Sequence, residues 1–171
     1  EVGFGGGDPR LHLFHLGAGL LERGFGVLQL LLVLRSIDPG QFLPFGDNVQ
    51  AAVEAEFAQE KGWKTAAMLV NDGMTYTKFL AQYFKERYTM DDIGGQVIKE
   101  LTYKVGDTDF SSQVTEIKGL NPAPDVLMIS AGPEEIGTIV KQVREGGIET
   151  PILGGDGYDT PQLLELAGAN A

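Results

Sequence analysis

The chain has 171 residues, a formal net charge of -11 and no cysteine. That length fits one domain with a real core, the charge repels a phosphate backbone and so argues against nucleic acid as a partner, and the lack of cysteine removes disulfides, thiolate nucleophiles and cysteine zinc sites together. No apolar run reaches the roughly 20 residues needed to span a bilayer; "VLQLLLVL" at Val27 to Leu34 comes nearest, and Gln29 interrupts it.

The first 46 residues form an atypical leader. They are rich in Leu and Gly, contain no Lys and hold both histidines. "EVGFGGGDPR" lacks the basic start and apolar stretch of a signal peptide, so an export signal is expected outside this chain. Too many apolar residues for a helical stripe and too many glycines for a helix leave only a strand-like core around Val27 to Leu34. "HLFH" sets His12 and His15 three apart, a spacing compatible with metal, but no third ligand is in view. "GFGGGD" matches a phosphate loop in composition only. A fusion, a new start to a truncated gene and an out-of-frame translation would each produce such a leader.

From residue 47 to 171 the pattern is regular. Asp47 or Asn48 is expected to cap a helix with Val49, Ala52, Val53 and Phe57 inward, stopped by Gly62. "TAAMLV" reads as a buried strand ending at "NDG", and Thr75 opens a helix with Tyr76, Phe79, Leu80, Tyr83 and Phe84 on one face. "QVIKELTY" is the next strand, followed by a "GDTDF" loop and a helix facing inward through Phe110, Val114 and Ile117. "NPAPD" ends that helix, "VLMIS" is a strand, and Pro133 is expected in the first turn of a helix carrying Ile136, Ile139, Val140 and Val143. "EGG" closes it, "PIL" opens the last strand, and Thr160 and Pro161 begin a fifth helix.

Near-continuous apolar strands alternating with helices predict an α/β fold, a doubly wound, mostly parallel sheet covered on both faces. Ligands of such sheets bind beyond the carboxyl ends of the strands, where the strand order reverses. The four segments there are "NDGMTY", "KVGDTD", "SAGPEE" and "GGDGYD", each with glycine and an acid. Glycine admits close backbone approach, a carboxylate favours an ammonium group, and tyrosine offers an apolar face with one hydroxyl. The set suits a small cationic or zwitterionic molecule, with Asp156 the foremost candidate. Asp, Gly and Asn are also ordinary turn residues, and Tyr76 also fits the core face of its helix. Ser111 and Ser112 have no histidine in their half of the chain, which disfavours a hydrolytic triad and an enzyme in general.

The runs from "FGDNVQAAVEAEF" through "GDTDFSSQ" and "IKGLNPAPD" to "PILGGDGYDTPQLLELAG" are similar to the type I periplasmic solute-binding proteins, specifically the Leu/Ile/Val-binding receptors of branched-chain amino-acid ABC transporters. The resemblance covers about Phe45 to Gly168 and implies the second of two α/β lobes that close on an amino acid. It implies a tyrosine packing on the ligand at Tyr76 and an acid pairing with the ligand's α-ammonium at Asp156. It also implies ligand contact at Gly132 and Pro133, which stand where the family often presents an aromatic. It further implies no cofactor, no metal and no catalysis, a membrane permease met through the full-length receptor, and a periplasmic or lipid-anchored extracellular location. The family's first lobe is not recognisable in residues 1 to 44, and "LAGANA" falls before the segments that would cross the hinge again. A ligand-sensing ectodomain and a flavodoxin-like nucleotide- or phosphate-binding domain are the alternatives that the same fold permits.

Overall fold

A computed structural model of the chain describes residues 46–168. The leader's strand-like segment, His12 and His15 lie outside the described residues. The elements in order are α1 (Asp47–Glu60), β1 (Thr65–Asn71), α2 (Thr75–Tyr88), β2 (Gln96–Tyr103), α3 (Ser111–Lys118), β3 (Val126–Ser130), α4 (Ile136–Glu145), β4 (Ile152–Leu153), a single 3-10 turn (Asp156–Tyr158) and α5 (Pro161–Ala167).

All strand pairs are parallel, in the order β2-β1-β3-β4. Side chains alternate across the central strand, which splits the core in two. Ala66, Met68 and Val70 join Leu80, Phe84 and Tyr88 of α2 and the alanines of α1 on one face. Ala67 and Leu69 join Phe110, Val114, Ile139 and Val143, the inward residues of the third and fourth helices, on the other. Burial on both faces is why β1 and β3 are apolar without a break, as the sequence predicts.

The helix ends follow local chemistry. Gly62 takes φ +76°, and Gly62 N–H and Trp63 N–H donate to Gln59 and Ala58 carbonyls, a Schellman closure of α1. Gly147, at φ +79°, closes α4 the same way, with Gly147 and Ile148 donating to Arg144 and Val143. Pro161 occupies the first turn of α5, where a missing N–H costs nothing.

Several expectations need correction. Neither Asp47 nor Asn48 caps the first helix: Gly46 holds the cap position, no side chain caps it, and Asp47 is already the first helical residue. The first helix does not bury Val49, Ala52, Val53 and Phe57: its buried face is Ala51, Glu54, Ala55 and Ala58, while Val49 is 41% exposed. Small side chains let α1 approach the sheet and α2 closely, and that packing outweighs the larger apolar area of the neighbouring stripe. In α2, Phe79 points outward, 44% exposed and stacked on Tyr83, while Thr77 and Ala81 take inward positions. Pro133 is not in a helix. Gly132 O accepts from Glu135 N–H and Ile136 N–H, so a tight turn occupies 132–135 and the helix starts at Ile136.

Candidate functional site

The strand order reverses between β1 and β3, so their connections leave toward opposite faces and part at the carboxyl edge. Three segments meet there: Asn71 to Tyr76 after β1, Ala131 to Glu135 after β3, and Gly154 to Tyr158 after β4. The first is braced from within. Asn71 Oδ1 accepts from Gly73 N–H at 2.9 Å, Thr77 Oγ1 donates to Asn71 O at 2.6 Å, and Ser130 Oγ donates to Thr77 O at 2.7 Å. These bonds set the start of α2, and hence the direction of Tyr76.

Tyr76 Oη donates to Asp156 Oδ1 at 2.6 Å and lies 3.0 Å from Gln50 Oε1 of α1. One hydroxyl proton serves one acceptor, and the short contact to the carboxylate takes it. Burial, and then the bond to Asp156, push the phenol's pKa well above the usual tyrosine range, so it stays protonated and donating. Two other acids of the strand-end loops differ in this respect. Asp107 accepts Lys104 N–H and Asp109 accepts Ser111 N–H, each closing its own turn, the ordinary role of a loop aspartate.

Glycine lets the parts close up. A Cβ at Gly155 would run into Tyr76 Oη and come within 2.7 Å of Gln50 Oε1, and one at Gly157 would be 2.6 Å from Ala131 O. Gly157 thus brings the Asp156 turn against the Ala131–Gly132 backbone. Behind Gly132, Glu135 is buried, and Asn71 Nδ2 faces its Oε1 at 3.4 Å. The predicted residues therefore separate: Tyr76 and Asp156 touch, Gly132 lies against the same turn, and Pro133 is exposed in the loop with no described contact to the pair.

Two residues of this edge have no place in the sequence reading. Gln50 reaches the tyrosine from α1, and Glu54 follows it one helical turn later. Glu54 is only 6% exposed, and neither carboxyl oxygen has a hydrogen-bond partner among the described residues. Burial, reinforced by the Asp156 charge, pushes its pKa up to about 8. The available signal was positional. Residues 51, 54, 55 and 58 fall at i, i+3, i+4 and i+7, so the alanine face carries Glu54 with it. Tyr158 completes the surroundings, its hydroxyl donating to Ile129 O at 2.9 Å.

Among the described residues no helix is long and apolar enough to cross a membrane, and no cluster of three or more His, Asp or Glu could hold a metal. A cavity of about 300 Å³ lies at the opposite edge, where Ile117, Lys118, Pro124, Ile148 and Thr150 surround the amino ends of β3 and β4.

A parallel doubly wound sheet with an acid and a phenol paired at its switch point is the architecture of a small-ligand-binding α/β domain. The chain belongs to the periplasmic binding protein family, whose model matches residues 37–171. It is 29% identical over 128 residues to a Leu/Ile/Val-binding protein homolog of Brucella melitensis, covering 73% of this chain and 33% of the relative. It is 32% identical over 120 residues to the Leu/Ile/Val-binding protein BraC3 of Rhizobium johnstonii, covering 70% and 32%. Among solved structures it is similar to the branched-chain amino acid transporter substrate-binding protein LivJ of Streptococcus pneumoniae in complex with isoleucine, with a TM-score of 0.67 and 31% identity over 73% of this chain and 34% of that one. The leucine-binding protein LivK of Thermotoga maritima gives a TM-score of 0.66 and 34% identity over 72% and 34%. The chain spans about a third of the length of the curated relatives it matches.

Proposed function

We propose that residues 47–171 form the second lobe of a non-catalytic amino-acid receptor, the substrate-binding component of an ABC importer, with branched-chain amino acids as its ligands. The observation that carries this reading is the 2.6 Å bond from Tyr76 to Asp156 at the reversal of strand order. Tyr76 engages Oδ1, and an α-ammonium group takes the other oxygen in a charge-assisted contact. The tyrosine ring offers the ligand an apolar face, and Gly132 a backbone that can be approached closely. Pro133 belongs to the same rim. The relatives' names support the amino-acid ligand, and by the same kinship we place the receptor in the periplasm or, lipid-anchored, outside the cell, delivering its ligand to a membrane permease.

One lobe supplies half of a closing cleft and buries only part of a small ligand, so residues 47–171 by themselves are expected to bind weakly, millimolar at best, or about 4 kcal/mol. The test is an NMR amide titration with L-leucine and with 4-methylpentanoate, which has the same carbon skeleton without the ammonium. Shifts at Tyr76, Gly132 and Asp156 with leucine alone support the reading; equal shifts with both, or none with either, contradict it.

A further inference from the structure

Glu54 presents a problem that the amino-acid site does not account for. A carboxyl group 6% exposed, with no hydrogen-bond partner on either oxygen among the described residues, is among the least comfortable arrangements a core can hold. Its charged and titratable neighbours offer no relief. The 3-10 turn contributes Asp156, whose charge opposes its ionisation, and Tyr158, whose proton goes to Ile129 O. From α2 comes Tyr76, whose proton goes to Asp156. Gln50, one turn before Glu54, lies 3.0 Å from the Tyr76 hydroxyl, which sets this face of α1 beside the Tyr76–Asp156 pair. The strands on this face of the sheet bring apolar side chains, Ala66, Met68, Val70, Val126 and Met128, with Val97 and Leu153 packed beside them. Glu54's own helix adds Gln50, which is already against Tyr76. The ion pairs among the described residues engage Lys85, Arg87, Lys99 and Lys141, none of them with Glu54 or Asp156.

Two carboxyl groups share this corner, and among the described residues no ion pair supplies a cation to either. We propose that Glu54 is a positioning residue that gives up its proton when a primary ammonium group docks on Asp156, so that the site exchanges one proton for its cationic ligand. The inference rests on the amino-acid reading above and adds a residue and a coupling to it. The exchange balances: the neutral Glu54 carboxyl loses its proton to solvent, the ligand keeps its own ammonium protons, and the added negative charge offsets the positive charge brought in. With the ammonium in place Asp156 no longer repels a second negative charge, and the resulting Glu54 carboxylate strengthens the field that holds the ligand.

The consequence is reciprocal. Ligand binding lowers the Glu54 midpoint, and rising pH tightens ligand binding, about tenfold for each unit by which the midpoint falls. The gain lies below the free-chain midpoint of about 8 and levels off above it.

The experiment follows the Glu54 Cδ resonance of 13C-glutamate-labelled chain against pH, with and without saturating L-leucine. The free chain is expected to titrate near 8, Asp156→Asn to titrate lower, and leucine to depress the midpoint by a unit or so. Leucine affinity should rise with pH in the wild type and stay level in Glu54→Gln, which keeps the shape and neutral charge of the protonated acid. If Glu54→Gln does not fold, the leucine-dependent shift of the wild-type midpoint decides alone. Leucine-induced amide shifts at Asp156 with an unmoved Glu54 midpoint would overturn the coupling and leave the amino-acid reading standing. A free-chain midpoint in the ordinary carboxyl range would overturn it too, and failure of leucine to shift any amide would remove both readings together.

Discussion

Tyr76 and Asp156 come from helices and turns eighty residues apart in sequence, and their bond is what turns two loop residues into a site. Tyr76→Phe keeps the ring and removes the donor, so Asp156 loses its anchor at a partly exposed position. Leucine affinity should fall by about 1 kcal/mol, roughly fivefold, with little loss of stability, as NMR titration and urea unfolding would measure. Glu54 makes a separate prediction about stability. Its carboxyl titrates at about 8 in the folded chain against an ordinary value of 4.5, so the folded state holds its proton more tightly than the unfolded one. The stability this contributes is present in full below the ordinary value and is lost as pH rises toward 8. Glu54→Gln should therefore gain on the wild type between pH 5 and pH 9, by an amount on the order of a few kcal/mol. Urea midpoints of the two proteins that run parallel across that range would contradict this.

At the scale of elements, two glycines make contrasting predictions. Gly62 has φ +76° and no atom within 4 Å of where a Cβ would sit, so Gly62→Ala incurs backbone strain alone, about 1 kcal/mol, measurable by urea unfolding with ligand affinity unchanged. Gly155 has an extended backbone, but its Cβ would meet the Tyr76 hydroxyl. Gly155→Ala should push Tyr76 from Asp156 and reduce leucine affinity at least as much as Tyr76→Phe, with a smaller effect on stability than on binding. The same scale explains what was legible in the sequence. β1 and β3 were, because strands covered on both faces appear as short apolar runs set off by turn residues, and the edge strand β2 was, through its β-branched and aromatic residues between Gly95 and Gly106. The inward faces of α3 and α4 were too, because Val114, Ile117, Ile139, Val140 and Val143 leave no competing stripe. α1 was not, because it carries two stripes and the more apolar one lies at the half-buried flank of the helix; choosing it also concealed Glu54, which lies on the alanine face. Pro133 misplaced the start of α4 because proline suits a turn as well as a first helical residue, and the Gly132–Glu135 turn claims it.

For the whole molecule, the order β2-β1-β3-β4 was not written in any one segment, yet the carboxyl-edge location of Asp156 followed from strand and helix alternation alone. The partner of that edge could not follow, since a site closed by two lobes is only half specified by one. On our account the described residues hold the ammonium side of that site, and a lobe by itself binds its ligand weakly but in the right place. The most direct test of that claim is an amide-shift titration with L-leucine of the wild type and Asp156→Asn in parallel, both first shown to be folded by their dispersed spectra. The account predicts wild-type shifts centred on Tyr76, Gly132 and Asp156, saturating in the millimolar range, and their disappearance in the variant. Equal shifts in the two proteins would contradict it.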